Sequence, residues 1–86
     1  MATAATYIDE MLDPLAESFT HESAQRLVAL QPKPEETARM EELAAKANEG
    51  LLTPAEDAEY KTRITVGDMI AILKLKARGY LDQQNR

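Results

Sequence analysis

The only histidine of the chain, His21, is the first residue to consider for catalysis. A catalytic histidine needs a carboxylate that orients it and a nucleophile that it can activate. The nearby groups of these types are Glu17, Ser18, Glu22 and Ser23. An ordinary helix start contains the same residue types, and nothing in the spacing distinguishes this one. We therefore expect that the protein is not an enzyme. The competing hypothesis is a small hydrolase that uses His21 with Glu17 or Glu22.

The sequence does not indicate a site for a metal or a cofactor. The neighbouring carboxylates Glu35–Glu36 and Glu41–Glu42 diverge on a helix, whereas a divalent cation needs oxygens that converge. The chain has no cysteine, which removes disulfides and thiolate metal sites. Its three glycines are isolated from one another, so there is no glycine-rich loop to surround a phosphate. We expect no cofactor.

The basic residues Lys74, Lys76 and Arg78 form the main cationic cluster. Binding to nucleic acid would need more cations, together with aromatic side chains on which bases can stack. Cations near the C-terminal end of a helix interact favourably with its dipole, which is a simpler interpretation of these three residues. The sequence therefore argues against nucleic acid as a partner.

The net charge of −5 is distributed unevenly. Residues 1–60 contain 13 acidic and four basic residues, whereas residues 61–86 contain two acidic and six basic residues. An acidic surface attracts basic proteins and speeds their encounter. The alternative is that the charges only hydrate helix surfaces, and acid-first pairs at i,i+4 spacing support it. These pairs are Glu22–Arg26, Glu35–Arg39, Glu42–Lys46, Asp57–Lys61 and Glu59–Arg63.

The length of 86 residues predicts one helical domain, residues 1–86, with polar tails at 1–6 and 82–86 that are frayed. The N-terminus lacks the basic and apolar pattern of a signal peptide. The most apolar run, Met69–Leu75, is far shorter than a membrane span. We expect a cytoplasmic protein that does not enter a membrane.

A helix stop and a helix start follow each other closely between Asn48 and Glu56. Gly50 accepts the left-handed conformation that closes a helix. Thr53 and Glu56 are spaced as a capping box, and Pro54 suits the first helical position. So short a connection predicts an antiparallel helical hairpin of residues 34–49 and 54–78. The fold class is therefore all-α: a small helical bundle with this C-terminal hairpin and shorter N-terminal helices.

The N-terminal part has weaker signals. A helical stripe at spacings of four, three and four is formed by Ile8, Leu12, Leu15 and Phe19. Pro14 interrupts it, either as a break at Asp13–Pro14, which we prefer, or as a kink in one helix. Thr20 caps the next helix, which runs through Gln31 before two prolines end it. Gly79 is the expected stop of the last helix.

The last helix is apolar on nearly all sides, as buried helices are. One face carries Val66, Met69, Ile70, Leu73 and Ala77. The opposite side and one flank carry Tyr60, Ile64, Ala71, Ile72 and Leu75, which we take as candidate partner-binding residues. In one interpretation the other helices of the chain cover both sides. In the other, a second copy or another protein covers one of them, and the sequence does not decide between the two.

Five segments, in this order, are similar to a known group of proteins. They are Leu12–Leu15, Ser23–Leu30, Met40–Gly50, Leu52–Tyr60 and Ile70–Arg78. They resemble small bacterial helical proteins whose genes often lie beside HNH-type endonuclease genes, over roughly residues 10–80. The segment Arg63–Asp68 is more polar than the usual pattern. The resemblance implies a protein partner, such as a nuclease, and brings no catalytic residues.

These observations predict a non-catalytic protein-interaction module. It would be an inhibitory or accessory partner, similar to an antitoxin or an immunity protein, of a basic protein such as a neighbouring nuclease. The alternative is a structural or assembly subunit that self-associates as a dimer or docks into a larger protein complex.

Overall fold

The computed structural model describes residues 3–84, which form four α-helices. They are α1 (Ala4–Ala16), α2 (His21–Ala29), α3 (Pro34–Asn48) and α4 (Pro54–Gln84). No strand occurs among the described residues. The all-α fold class is confirmed, with a long C-terminal helix that packs against shorter helices.

Thr20 caps the start of α2, as predicted, and it forms a capping box with Ser23, which we did not predict. The Ser23 amide donates to Oγ1 of Thr20 at 3.0 Å, and the Thr20 amide donates to Oγ of Ser23 at 2.9 Å. The helix ends at Ala29 rather than Gln31, because Leu30 already has an extended backbone with ψ of 129°. The two prolines that follow keep this segment from continuing the helix.

The end of α3 is a Schellman motif. Gly50 has a φ of 70°, the left-handed conformation that the sequence predicts. The amide of Leu51 donates to the carbonyl of Lys46 at 2.9 Å, and the amide of Gly50 donates to the carbonyl of Ala47 at 3.1 Å. Carbonyls that the helix end would leave unpaired are thereby satisfied.

The start of α4 is a second capping box. The Glu56 amide donates to Oγ1 of Thr53 at 3.1 Å, and the Thr53 amide donates to the Glu56 carboxylate at 3.0 Å. Pro54 is the first helical residue, where its missing N–H costs nothing. Both ends of the connection are therefore determined by local chemistry, and the predicted hairpin of α3 with the first part of α4 is confirmed.

Two further helix boundaries, at Pro14 and at Gly79, differ from the prediction. The break at Asp13–Pro14 is wrong, because α1 continues through Pro14 to Ala16. Pro14 lies in the last turn on an exposed side, so only one carbonyl loses its helical partner. The stop at Gly79 is also wrong, because α4 continues to Gln84. The ring of Tyr80 packs edge-to-face on Phe19 with 6.0 Å between centroids, and this contact stabilises the last turns against the cost of the glycine.

The described residues divide into two compact units. The hairpin unit, Gln31–Gly67, contains α3 and the first part of α4. The terminal unit contains α1, α2 and the part of α4 from Asp68 onward. The prediction of a single domain over residues 1–86 stays a prediction. Residues 4–6 and 82–84 of the predicted tails lie in α1 and α4, whereas residues 1–2 and 85–86 lie outside the described residues.

Each unit has a small apolar core. In the hairpin unit Leu43 is completely buried. In the terminal unit the buried residues are Leu12, Ala24 and Ala77, and two of these three are alanines. The buried set is therefore poor in large side chains, which leaves most of the larger apolar residues at least partly accessible.

Candidate functional site

In the hairpin unit, two of the candidate partner-binding residues lie together. Tyr60 is half-buried and Ile64 is 42% exposed. Both line an open groove of about 750 Å³ between the end of α3 and the start of α4. The other lining residues are Ala47, Gly50, Leu52, Thr53, Pro54, Asp57 and Lys61. The lining is mostly apolar and includes one charged pair, because Lys61 and Asp57 are joined by a salt bridge of 2.9 Å.

In the terminal unit, α4 has a buried side and an open side. Ala77 is completely buried and Leu73 is half-buried. On the opposite side Ala71 is exposed and Leu75 is 66% exposed, the highest exposure among the large apolar residues of this helix. Ile72, on the flank, is half-buried. Within this unit the Leu75 side therefore does not belong to the core.

A third apolar surface lies on α1, and we did not predict it. Tyr7, Met11 and Leu15 are 60%, 59% and 51% exposed. Leu15 is also a member of the predicted helical stripe of Ile8, Leu12, Leu15 and Phe19, and the members of this stripe differ in exposure. Leu12 is the buried member, and the apolar arc of α1 is wider than the surface that α4 and α2 cover. The spacing Tyr7, Met11, Leu15 at i, i+4, i+8 was the available signal.

Several ion pairs join the facing sides of α3 and α4. Arg39 donates to both carboxylate oxygens of Glu59, at 2.9 and 2.7 Å. Arg63 donates to the same carboxylate at 2.7 Å and also pairs with Glu36. The hydrogen bonds from Arg39 and then Arg63 lower the pKa of Glu59 to about 2. Partner numbers rise along α3 as they fall along α4, so the hairpin is antiparallel.

The same network continues toward the connection. Lys46 lies 2.6 Å from a carboxylate oxygen of Glu56 and 3.9 Å from Glu42, which in turn pairs with Arg39 at 3.1 Å. The hydrogen bond from Lys46, together with the Thr53 amide, lowers the pKa of Glu56 to about 2. These carboxylates already have cationic partners. Among residues 3–84 no group of three acidic or histidine side chains could hold a metal ion.

The predicted i,i+4 pairs are largely present. Glu22–Arg26, Glu42–Lys46, Asp57–Lys61 and Glu59–Arg63 are within salt-bridge distance. The fifth is absent from the described contacts, because Arg39 reaches across to α4 instead of back to Glu35. Helix-surface pairing therefore accounts for part of the acidic charge.

The cluster of Lys74, Lys76 and Arg78 has a role that we did not predict. Lys76 lies 2.7 Å from a carboxylate oxygen of Asp9 and also pairs with Asp13, and its side chain is only 12% exposed. Lys74 donates to the carbonyl of Leu30 at the end of α2. The helix-dipole interpretation is wrong, because α4 continues to Gln84 and its last turn has no basic residue. Lys76 and Lys74 thus link α4 to α1 and to the end of α2 within the terminal unit.

The surroundings of His21 are those of a helix start. Ser23 takes part in the capping box with Thr20, and Ser18 donates to the carbonyl of Leu15 at 2.6 Å. Glu22 forms a 2.7 Å salt bridge with Arg26. Most groups that could have activated or oriented the histidine are thus engaged elsewhere. That the protein is not an enzyme stays a prediction.

None of the described helices combines the length and the apolar character that a crossing of the membrane requires. Comparisons with protein-family models, with curated proteins and with solved structures found no match to this chain.

Proposed function

We propose that this chain is a non-catalytic protein-interaction module. The observation that carries the proposal is the excess of exposed over buried large apolar side chains. Among residues 3–84, Leu12 and Leu43 are the only large apolar residues that are buried. The exposed set is Tyr7, Met11, Leu15, Leu30, Leu51, Ile64, Val66, Met69, Ile70 and Leu75.

Such an excess favours a partner for a physical reason. Each large apolar side chain that leaves water contributes about 1.5–3 kcal/mol, so a second surface that covers several of them gains substantial free energy. Contiguous apolar patches on soluble proteins commonly mark interaction sites. Ile64 in the hairpin unit and Leu75 in the terminal unit are the exposed large members of our candidate set, and we assign contacts to each.

The charge and the resemblance support a basic partner. Residues 1–60 carry a charge of −9, from 13 acidic and four basic residues, which would steer a cationic protein toward this chain. The similarity to proteins encoded beside HNH-type endonuclease genes suggests that this partner is a nuclease in the cytoplasm. We propose an inhibitory or accessory role, similar to that of an antitoxin or an immunity protein.

The competing proposal is a structural subunit that binds a second copy or a larger complex. The same exposed side chains fit it, because apolar burial does not depend on the identity of the partner. What separates the two proposals is what the protein binds and whether that binding inhibits cleavage.

The decisive experiment is purification of the tagged protein from its native host at low salt, with wild type beside Leu75→Glu and Ile64→Glu. Matched controls add the same charge at exposed polar positions of α4, with Gln83→Glu for the terminal unit and Thr62→Glu for the hairpin unit. We expect a nuclease to be retained by wild type and controls, to be lost with at least one test variant, and to be inhibited in a cleavage assay.

Each variant is also checked for helicity by circular dichroism, so that a loss of binding can be distinguished from a loss of folding. A homodimer by light scattering without other proteins, or a large complex without nuclease, would favour the structural proposal. If both test variants unfold while the controls remain folded, Ile64 and Leu75 belong to the folded core, and our assignment of the contact residues is wrong.

A further inference from the structure

Helix α1 carries an exposed apolar stripe that is formed by Tyr7, Met11 and Leu15. At 3.6 residues per turn the three residues lie within an arc of about 80° on one side of the helix. Each of them is more than half exposed. Leu30, at the end of α2, is another exposed apolar residue of the terminal unit. The stripe is thus a continuous apolar row on a helix of 13 residues.

The contacts of α1 explain why this stripe points outward. Asp9 and Asp13 share a side of the helix and both bind Lys76, and Leu12 beside them is buried. Rotating α1 to bury Met11 would separate the aspartates from Lys76 and expose Leu12. The terminal unit therefore cannot cover the stripe with its own residues without losing these interactions.

The charged side chains that α1 itself carries are all acidic. Residues 1–25 contain five acidic residues and neither lysine nor arginine. Asp9 and Asp13 are bound to Lys76, but Glu10 and Glu17 are exposed, and the described ion pairs do not involve them. A surface that approaches Met11 therefore meets carboxylates without cations of the same helix to compensate them.

This charge selects among the possible occupants. A second copy that packed α1 against α1 would bring the same carboxylates together, and such like-charge contacts are unfavourable. An anionic membrane surface would be repelled for the same reason, since membrane-bound amphipathic helices are rich in lysine and arginine. An apolar protein surface flanked by basic side chains complements both the stripe and its rim.

We propose that α1 docks the Tyr7–Met11–Leu15 stripe onto an apolar surface of a partner protein that is flanked by lysine and arginine. This inference rests on the proposed interaction function and names the chemistry of the contact. It adds a docking surface on α1 to the contacts that we assign to α4. Apolar burial supplies the affinity, and Glu10 and Glu17 supply orientation and selectivity for a basic rim.

The test uses a synthetic helical peptide of leucine and lysine, with leucine on one face, as the probe. The full chain, labelled with ¹⁵N, is titrated with it, and the dissociation constant is measured by calorimetry. We expect amide shifts centred on Tyr7, Met11 and Leu15. We expect Met11→Ser to weaken binding about tenfold, because it removes a large apolar contact. Tyr7→Ser is the second test variant.

Matched control variants distinguish the contributions of the stripe and of the carboxylates beside it from the general effect of removing an apolar or an acidic side chain. Leu51→Ser removes an equally exposed apolar residue in the hairpin unit and should leave binding unchanged. Glu10→Gln with Glu17→Gln should weaken binding severalfold. Glu35→Gln with Glu41→Gln removes the same charge from exposed positions of α3 and should have a much smaller effect.

Several results would overturn the inference. Peptide binding that tolerates Met11→Ser and Tyr7→Ser but is lost with Leu75→Glu or Ile64→Glu would move the contact to α4, and the proposed function would survive. A dimer in sedimentation that Met11→Ser dissociates would make a second copy the occupant. Binding to phosphatidylcholine vesicles that Met11→Ser abolishes would make it a membrane. If purification from the host yields no protein partner while the peptide still binds the stripe, the proposed function fails and the surface chemistry stands.

Discussion

Arg39 donates two hydrogen bonds to the carboxylate of Glu59, at 2.9 and 2.7 Å, across the hairpin of α3 and α4. A bidentate pair of this kind orders two helices relative to each other more precisely than an apolar contact does. It is also sensitive to acid, because it exists only while Glu59 is ionised.

We expect the hairpin unit to lose stability in acid. The pKa of Glu59 falls from 4.5 to about 2 on folding, so the unfolded chain binds the proton first. The stabilising contribution is complete above the unfolded value and disappears as the pH falls through about 2. Urea denaturation at several pH values should show a shallower acid dependence in Glu59→Gln than in wild type. Glu41→Gln, an exposed control, should retain the wild-type dependence.

Gly50→Val should destabilise the hairpin unit by about 1–2 kcal/mol, because a side chain in the left-handed region meets the carbonyl that follows it. Gly79→Ala is the opposite control. It lies inside α4, an added Cβ meets no atom within 4 Å other than those of adjacent residues and of the nearby helix backbone, and alanine should stabilise by roughly 0.5–1 kcal/mol. Denaturant midpoints measure both. Equal effects of the two substitutions would contradict the role of Gly50 as a helix cap.

Lys76→Met should destabilise the terminal unit, because Asp9 and Asp13 would then face each other without a cation. Arg78→Met, on the exposed side of the same helix, removes the same charge and should have little effect. Thermal unfolding followed by circular dichroism compares them. Adding Asp13→Asn to Lys76→Met should recover part of the loss, since it removes the repulsion, and no recovery would count against the ion-pair explanation.

His21→Ala should change neither the fold nor any function of the protein. His21 is exposed in the first turn of α2, and the cap of that helix is made by Thr20 and Ser23. The measurement is a hydrolase assay of purified wild type and variant, with circular dichroism as the test of folding. An activity that disappears with this substitution while the fold survives would establish the competing hydrolase hypothesis.

The parts of the fold that the sequence predicts are those with local causes. Thr20, Gly50 and Thr53 form their caps with residues at most five positions away. The continuation of α4 past Gly79 has a cause that is distant in sequence, because Tyr80 packs on Phe19, which lies near the other end of the chain. Local propensity at Gly79 indicated a stop, and tertiary packing outweighed it.

The candidate sites also combine features with local causes and features with distant causes. The spacing placed Ile64 and Leu75 on the same side of α4, because helix periodicity orders faces without any tertiary information, but it did not decide whether other helices of the chain cover that side. The exposure of Met11 depends on where α4 lies, and α4 is held there by Lys76, more than sixty positions along the chain. No local pattern assigns Lys76 to Asp9 and Asp13, so the direction of the α1 stripe could not be predicted.

The division into two units has a consequence for the order of folding. The cross-helix ion pairs of the hairpin unit join residues 10 to 27 positions apart, whereas the contacts of Lys74 and Lys76 in the terminal unit join residues 44 to 67 positions apart. Contacts of low sequence separation cost less loop-closure entropy and form sooner. Once formed, the hairpin shortens the loop that the contacts of the terminal unit must close. A weakened Gly50 cap should therefore slow refolding, because the hairpin forms early. A weakened Lys76 contact, which forms late, should mainly accelerate unfolding.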